Sequence, residues 1–200
     1  MYALVEDNAI IKTYNNPRGM TIGGVKYPQN IHSLWSESDL NAIGIYSVVY
    51  DNTNKKDGDW YINTDQTLAF AGGVVTASYG TATARAIADR NGTDEDGVEL
   101  DPVVVIKGLK TIKKEIFDRQ AAGLLVNYDW YIIRNTEAST AIPSAITDYR
   151  TAVRAKCNSM QTQVDGAANV DALAALFEYT VTDGVSSRPL GEWPTDPNAE

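Results

Sequence analysis

Chemistry that depends on histidine or cysteine has almost no material here: the chain carries one of each, His32 and Cys157, in 200 residues. A single cysteine excludes an intrachain disulfide, which fits folding in a reducing cytoplasm. Cys157 falls on an apolar stripe and reads as a small hydrophobe. Any Ser–His–Asp or Cys–His centre would have to use His32. That residue lies in Asn30-Ile31-His32-Ser33-Leu34-Trp35, between a turn and a short helix, where a structural or surface role is the stronger reading. Positive charge is also scarce. Lys and Arg total 17 against 26 Asp and Glu, a net charge of -9. Phosphate backbones and anionic lipid surfaces need a basic face, so neither nucleic acid nor membrane is an expected partner. No apolar run approaches the roughly 20 residues of a membrane-spanning helix. The first residues show no basic region followed by an apolar stretch, so no signal peptide is expected. The phosphate-loop, dinucleotide, HExxH and paired CxxC patterns are all missing, and no cofactor is expected.

What is present reads as an α+β chain: a β-rich N-terminal α+β module, then a C-terminal antiparallel helical hairpin or bundle. Residues 2–6 and 9–14 flank Asp7-Asn8, which tolerate a tight left-handed turn. Thr21-Ile22 and Val25-Lys26-Tyr27 flank Gly23-Gly24 in the same way. Ser36 with Asp39 resembles a capping box. The spacing predicts one short helix with Leu34, Trp35, Leu40 and Ile43 on its apolar side, stopped at Gly44. Residues 45–50 read as a strand. Residues 60–62 and 67–70 read as a strand pair around Asn63–Gln66, and 74–79 as a further strand. The expected N-terminal domain is 1–80.

Residues 81–102 hold few large apolar groups and crowd Asp94, Glu95, Asp96, Glu99 and Asp101, which suggests an acidic exposed linker. Residues 103–180 form the expected helical domain. One helix is read over 103–125, with Ile106, Leu109, Ile112 or Lys113, Ile116, Phe117, Ala121 and Leu124 at spacings of three and four. A short helix follows from Asp129 to about Thr136. After Pro143 a third, capped by Ser144, carries the stripe Ile146, Tyr149, Val153, Cys157, Met160 and Val164. A last helix starts at Asn169 or Val170. Trp130 is expected to pack inside this unit. Arg134 is expected to cap carbonyls or to pair with Asp129 or Asp148. The proline-bearing tail, 181–200, should be irregular and need a surface to lie on.

Two features offer ligand chemistry. Asp94, Asp96 and Glu99 supply oxygen ligands of the kind calcium prefers, but position twelve after Asp94 is Val105 rather than the required glutamate, so a solvated loop is the stronger reading and no metal is expected. The 11 Tyr and 4 Trp include the pairs Trp60-Tyr61 and Trp130-Tyr131, which would suit a sugar platform or a protein contact, although paired aromatics more often pack in a core. With Trp193 these four are the candidate partner-binding residues.

The stretch Tyr2–Glu6 through Ile22-Gly23-Gly24-Val25-Lys26-Tyr27-Pro28, then Leu40-Asn41-Ala42-Ile43-Gly44-Ile45, resembles the opening of small bacteriophage tail proteins. Asp129-Trp130 through Arg134, then Ile142-Pro143 and Tyr149-Arg150-Thr151-Ala152-Val153-Arg154, is similar to the helical pattern of the tail-fibre assembly and tail-fibre-binding family. Pro189 through Trp193-Pro194 resembles that family's terminal segment. These stretches cover about half of the chain, and 51–105 matches nothing in the pattern. The resemblance implies a non-enzymatic protein that binds a tail fibre or baseplate component, is made in the bacterial host cytoplasm, and is located in the virion tail. Retention in the particle is the favoured fate over action during assembly alone, and homo-oligomerisation stays open. The rival reading is a carbohydrate-binding or glycan-cleaving tail module.

Overall fold

Asp7 and Asn8 both adopt the left-handed backbone, with φ 49° and 61°, and the chain folds back there between β1 (Tyr2–Glu6) and β2 (Ala9–Tyr14). This hairpin opens the computed structural model, which describes residues 1–198. The chain divides into two units, Met1–Thr83 and Ala84–Glu200, and its class is mixed α+β, strand-rich first and helical after.

In the first unit a five-stranded sheet runs in the order β2-β1-β5-β8-β7, where β5 is Ile45–Asp51, β7 Gln66–Ala71 and β8 Val74–Tyr79. Only β5 and β8 are parallel. The edge strands β2 and β7 approach each other, so the sheet curls. Alternation along β1 and β5 sends side chains to opposite faces. Ala3, Val5, Val48, Val75 and Ala77 form one core with Tyr46, Leu68 and Phe70. Leu4, Tyr14 and Ile45 form the other, together with Met20, Ile31 and Leu40. Those last three come from the hairpin β3 (Met20–Ile22) and β4 (Val25–Tyr27) and from the helices α1 (Ile31–Leu34) and α2 (Glu37–Ala42).

The capping box forms as read: Ser36 accepts from the Asp39 N–H, and the Asp39 carboxylate accepts from the Ser36 N–H. Gly44 ends the segment at φ 83°, and a Cβ there would lie 2.6 Å from the Val5 carbonyl oxygen, so only glycine fits. Two expectations fail. The short helix capped by Ser36 forms as α2, but Leu34 and Trp35 are not on its apolar side: Trp35 is extended, and Leu34 ends the separate α1, exposed, while Ile31 takes the buried place. Residues 60–62 do not pair with 67–70. β6 is only Tyr61–Ile62, and β7 turns through Gly72-Gly73 to pair with β8. The two adjacent glycines, both at positive φ, supply the tighter turn.

The chain passes from the first unit to the second within β9 (Thr83–Ala84). Next, β10 (Arg90–Asn91) and β11 (Val105–Ile106) pair as a ribbon around the acidic stretch. Asp94 accepts from the N–H groups of Asp96 and Val98, so its carboxylate shapes the turn that ends at Gly97.

The first long helix, α3, is Leu109–Val126, not 103–125. Its start is fixed by residues 86–89. The N–H groups of Leu109 and Lys110 donate to the carbonyls of Ala86 and Ile87, and the Gly108 N–H donates to the Asp89 carboxylate at 2.8 Å. Three orphan donors are thereby satisfied without a side-chain cap at the N-cap residue itself. Gly108 is required, since a Cβ would lie 2.3 Å from the Ala88 carbonyl carbon. Residues before it are held in the ribbon, which is why Ile106 is exposed instead of facing a helical core.

Then follow α4 (Asp129–Ala138), α5 (Ser144–Gly166), α6 (Val170–Ala175) and the hairpin β12 (Thr180–Thr182) and β13 (Val185–Ser187). The long helices α3 and α5 are antiparallel. Lys114 meets Asp165, Asp118 meets Gln161, and the Leu125 carbonyl meets Arg150. The stripe on α5 is buried as its spacing predicts, with Val153, Met160 and Val164 fully enclosed. Ser144 does not cap; Pro143 occupies the N-cap position, and its carbonyl accepts from Ile146 and Thr147. Asn169 caps α6 through the Ala172 N–H. Beyond β13 the tail lies on its own unit. Leu190 is fully buried, and the Trp193 indole donates to Gln120. Ala199 and Glu200, the end of the expected tail, lie outside the described residues.

Candidate functional site

The residues around α4 break the usual rule that a helix in a folded unit buries a face. None of its ten residues is buried. Trp130 is 48% exposed and Ile133 57%, and Val126 at the end of α3 is 59% exposed. Trp130 and Ile133 are three residues apart and share a helix face. The expectation that Trp130 packs inside is therefore wrong. The cause is visible in the sequence Trp130-Tyr131-Ile132-Ile133: four consecutive large residues point around the whole circumference, so no placement of the helix encloses them all.

The helix is held by its root. Arg150, nearly buried on α5, donates to the Asp129 carboxylate at 2.8 Å and to the Leu125 carbonyl at 3.1 Å. It thus satisfies an orphan acceptor at the end of α3 and sets a negative charge at the start of α4, where the helix dipole favours one. This is the role expected of Arg134. Arg134 instead lies over the rings of Trp130, at 4.6 Å, and Tyr131, at 5.2 Å. Its cation stacks on the aromatic pair, whose centroids are 3.8 Å apart.

From this surface pair a chain of aromatic contacts leads inward. Tyr131 stacks with Tyr128 at 6.3 Å, and Tyr128 meets the edge of buried Tyr149 at 5.4 Å. The Tyr128 hydroxyl donates to Asp196 of the tail and accepts from Asn198. The hydrogen bond to Asp196 raises the Tyr128 phenol above its usual 10.0 and holds Asp196 below its usual 3.8. Burial first, then the Asp196 charge, pushes the Tyr149 phenol up as well.

The other candidates lie elsewhere. Trp60 and Tyr61 are half-buried in the first unit, with Lys56 5.9 Å over the Tyr61 ring. Trp193 is half-buried, and its indole N–H serves to pin the tail. Of the five, Trp130 is the exposed one, and its ring pairs with Tyr131. Arg134 and Ile133 belong to the same surface, and neither was among the candidate partner-binding residues read from the sequence. The i, i+4 spacing of Trp130 and Arg134 was the signal that could have found Arg134.

The first unit holds a cavity of about 410 Å³ lined by Pro17, Gln29, Asn30, His32 and Ser33. His32 packs its ring on Tyr2 at 4.4 Å, and both ring nitrogens are buried without a hydrogen-bond partner. Among the described residues no serine or carboxylate is bonded to it, so they assemble no dyad there. The Cys157 thiol is buried and pushed up by desolvation and then by Asp118, which leaves it protonated. Among the described residues no group of three His, Cys, Asp or Glu could hold a metal ion. No helix among them is long and apolar enough to cross a membrane. Compared with protein-family models, curated proteins and solved structures, the chain matches none.

Proposed function

We propose that this chain is a non-enzymatic interaction protein of a bacteriophage tail, retained in the virion, and that it binds a tail fibre or baseplate protein through the α4 surface. The observation that supports binding is the exposure of Trp130 and Ile133 on one face of α4, with Tyr131 and Arg134 stacked on the Trp130 ring. Trp, Tyr and Arg are the residue types that dominate binding energy at protein interfaces. Full burial of an aliphatic side chain of this size contributes about 1.5–3 kcal/mol, so an apolar surface of this kind left open on a folded unit favours a partner. The tail setting rests on the motif resemblance alone, and the virion location rests on it too.

Affinity capture on the full chain from infected cells, followed by mass spectrometry of what is retained and of purified particles, tests the reading. A tail fibre or baseplate protein is expected with the wild type and is lost with Trp130→Ala. Failure to recover any tail component with the folded wild type contradicts the proposal, and absence of the chain from particles contradicts retention.

A further inference from the structure

The segment from Asn8 to Ser36 has a charge balance unlike that of the whole chain. It carries Lys12, Arg18 and Lys26 and no Asp or Glu, whereas the chain totals 26 acidic residues against 17 basic ones. The hairpin of β3 and β4 folds this segment back, so the loop after β2 meets the turn before α1. A Cβ on Gly19 would lie 3.8 Å from the Gln29 nitrogen. Two cavities adjoin at this place and share Pro17 in their walls. The one beside His32, of about 410 Å³, is also lined by Gln29 and Asn30. The other, of about 290 Å³, is lined by Asn15, Asn16 and Arg18. Together they form a groove of the size of small-molecule sites, about 300–1,000 Å³.

The lining narrows the ligand. Among the described residues no hydrogen bond engages the side-chain amides of Asn15, Asn16, Gln29 or Asn30. Each amide offers two donors and an acceptor. Adjacent hydroxyl groups match that set, because a hydroxyl both donates and accepts. At the other end, Arg18 and Lys12 lie 4.9 Å and 5.7 Å from the centroid of the Tyr14 ring. Neither has an ion pair among the described residues. No carboxylate is among the lining residues, so the two cations have no counter-charge there and a metal ion has no anionic ligand. A guanidinium grips a carboxylate or phosphate through paired N–H groups. We propose that this groove binds an acidic sugar, a ring of hydroxyl groups bearing one carboxylate or phosphate. The anion sits on Arg18 and Lys12, and the hydroxyls sit on the amides. A nucleotide fits less well, since a base needs an open aromatic face to stack on. The one aromatic ring among the lining residues, His32, is packed against Tyr2. The groove belongs to the first unit, is separate from α4, and does not rest on the function proposed above.

Titration of the full chain, read as amide shifts in nuclear magnetic resonance, tests the assignment. The ligands are glucuronate, galacturonate and glucose 6-phosphate, with glucose, acetate, inorganic phosphate and AMP beside them. Saturable shifts in residues 13–18 and 29–33 are expected with at least one acidic sugar. Glucose and the bare anions should bind about tenfold more weakly, as loss of a charge-assisted contact implies. The tighter of the carboxylate and phosphate sugars shows which anion the groove takes. Arg18→Gln should remove the advantage of the acidic sugar over glucose, and Asn30→Ala should weaken both. Both residues are exposed, so circular dichroism should stay that of the wild type. Should either variant lose its fold, Lys12→Gln carries the same test as Arg18→Gln. No saturable shift with any of the three acidic sugars overturns the proposal. Acetate, phosphate or AMP binding as tightly as the acidic sugars overturns it too, as does an acidic-sugar affinity that a folded Arg18→Gln leaves unchanged.

Discussion

Two helices of the same unit, α5 and α4, use their apolar residues in opposite ways. On α5 the large residues recur at intervals of three and four, from Ile146 to Val164, and every member of that stripe is buried. On α4 they are consecutive, and none is buried. Similar amounts of apolar side chain give a core helix in one case and an exposed one in the other. Spacing decides it, because only a stripe can be enclosed by a single neighbour. Arg150 joins the two helices: it belongs to the buried side of α5, yet its guanidinium holds the start of α4.

The comparison breaks most readily from the α5 side. Met160→Ala removes a fully enclosed side chain and should cost about 2–5 kcal/mol, read as a drop in denaturant midpoint. A cost near zero would mean that α5 is not the core helix. Arg150→Met keeps the bulk but leaves the Leu125 carbonyl without its donor, and roughly 1–3 kcal/mol should be lost. Hydrogen exchange in 127–138 should rise more than in α5; a uniform rise would show that Arg150 supports the whole unit and not the root of α4. Trp130→Ala, by contrast, should change stability by less than about 1 kcal/mol, as substitutions at exposed positions do. A loss of several kcal/mol would put Trp130 in a core.

The smallest effect concerns the tail at the root of α4. The folded value of Asp196 is lowered, so its contribution is present above the ordinary value of 3.8 and disappears as pH falls through the lower folded value. The Tyr128 phenol is raised, so its contribution is present below the ordinary value of 10.0 and disappears as pH rises through the higher folded value. Residues 189–198 should therefore stay protected from hydrogen exchange at intermediate pH and loosen at both extremes. Equal protection in strong acid would deny the clamp.

Local signals in the sequence were accurate where the cause is local. The Asp7-Asn8 turn, the box of Ser36 and Asp39, the stop at Gly44 and the α5 stripe all depend on residues a few positions apart. Apart from the Ser144 cap, a local expectation that Pro143 displaced, what failed depends mostly on distant partners. The start of α3 is set by the carbonyls of Ala86 and Ile87, each 23 residues upstream of its donor, and the apolar run 103–106 carries no mark that it belongs to a ribbon. The pairing of β7 with β8 instead of β6 is a choice between two plausible turns. For the site, Trp130 and Tyr131 were legible as candidates, while their exposure was not, since an aromatic pair reads alike in a core and on a surface. Arg150 took the role expected of Arg134 from another helix, 21 residues along the chain from Asp129, a contact that packing and not local spacing creates.

The central claim is that α4 faces a partner. The direct measurement is site-specific photocrosslinking in infected cells, with the photoreactive residue at exposed Ile133 in one sample and at exposed Thr162, on α5, in another. The account predicts a crosslink to a tail fibre or baseplate protein from position 133 and none from position 162. No product from 133, or the same products from both positions, would contradict it.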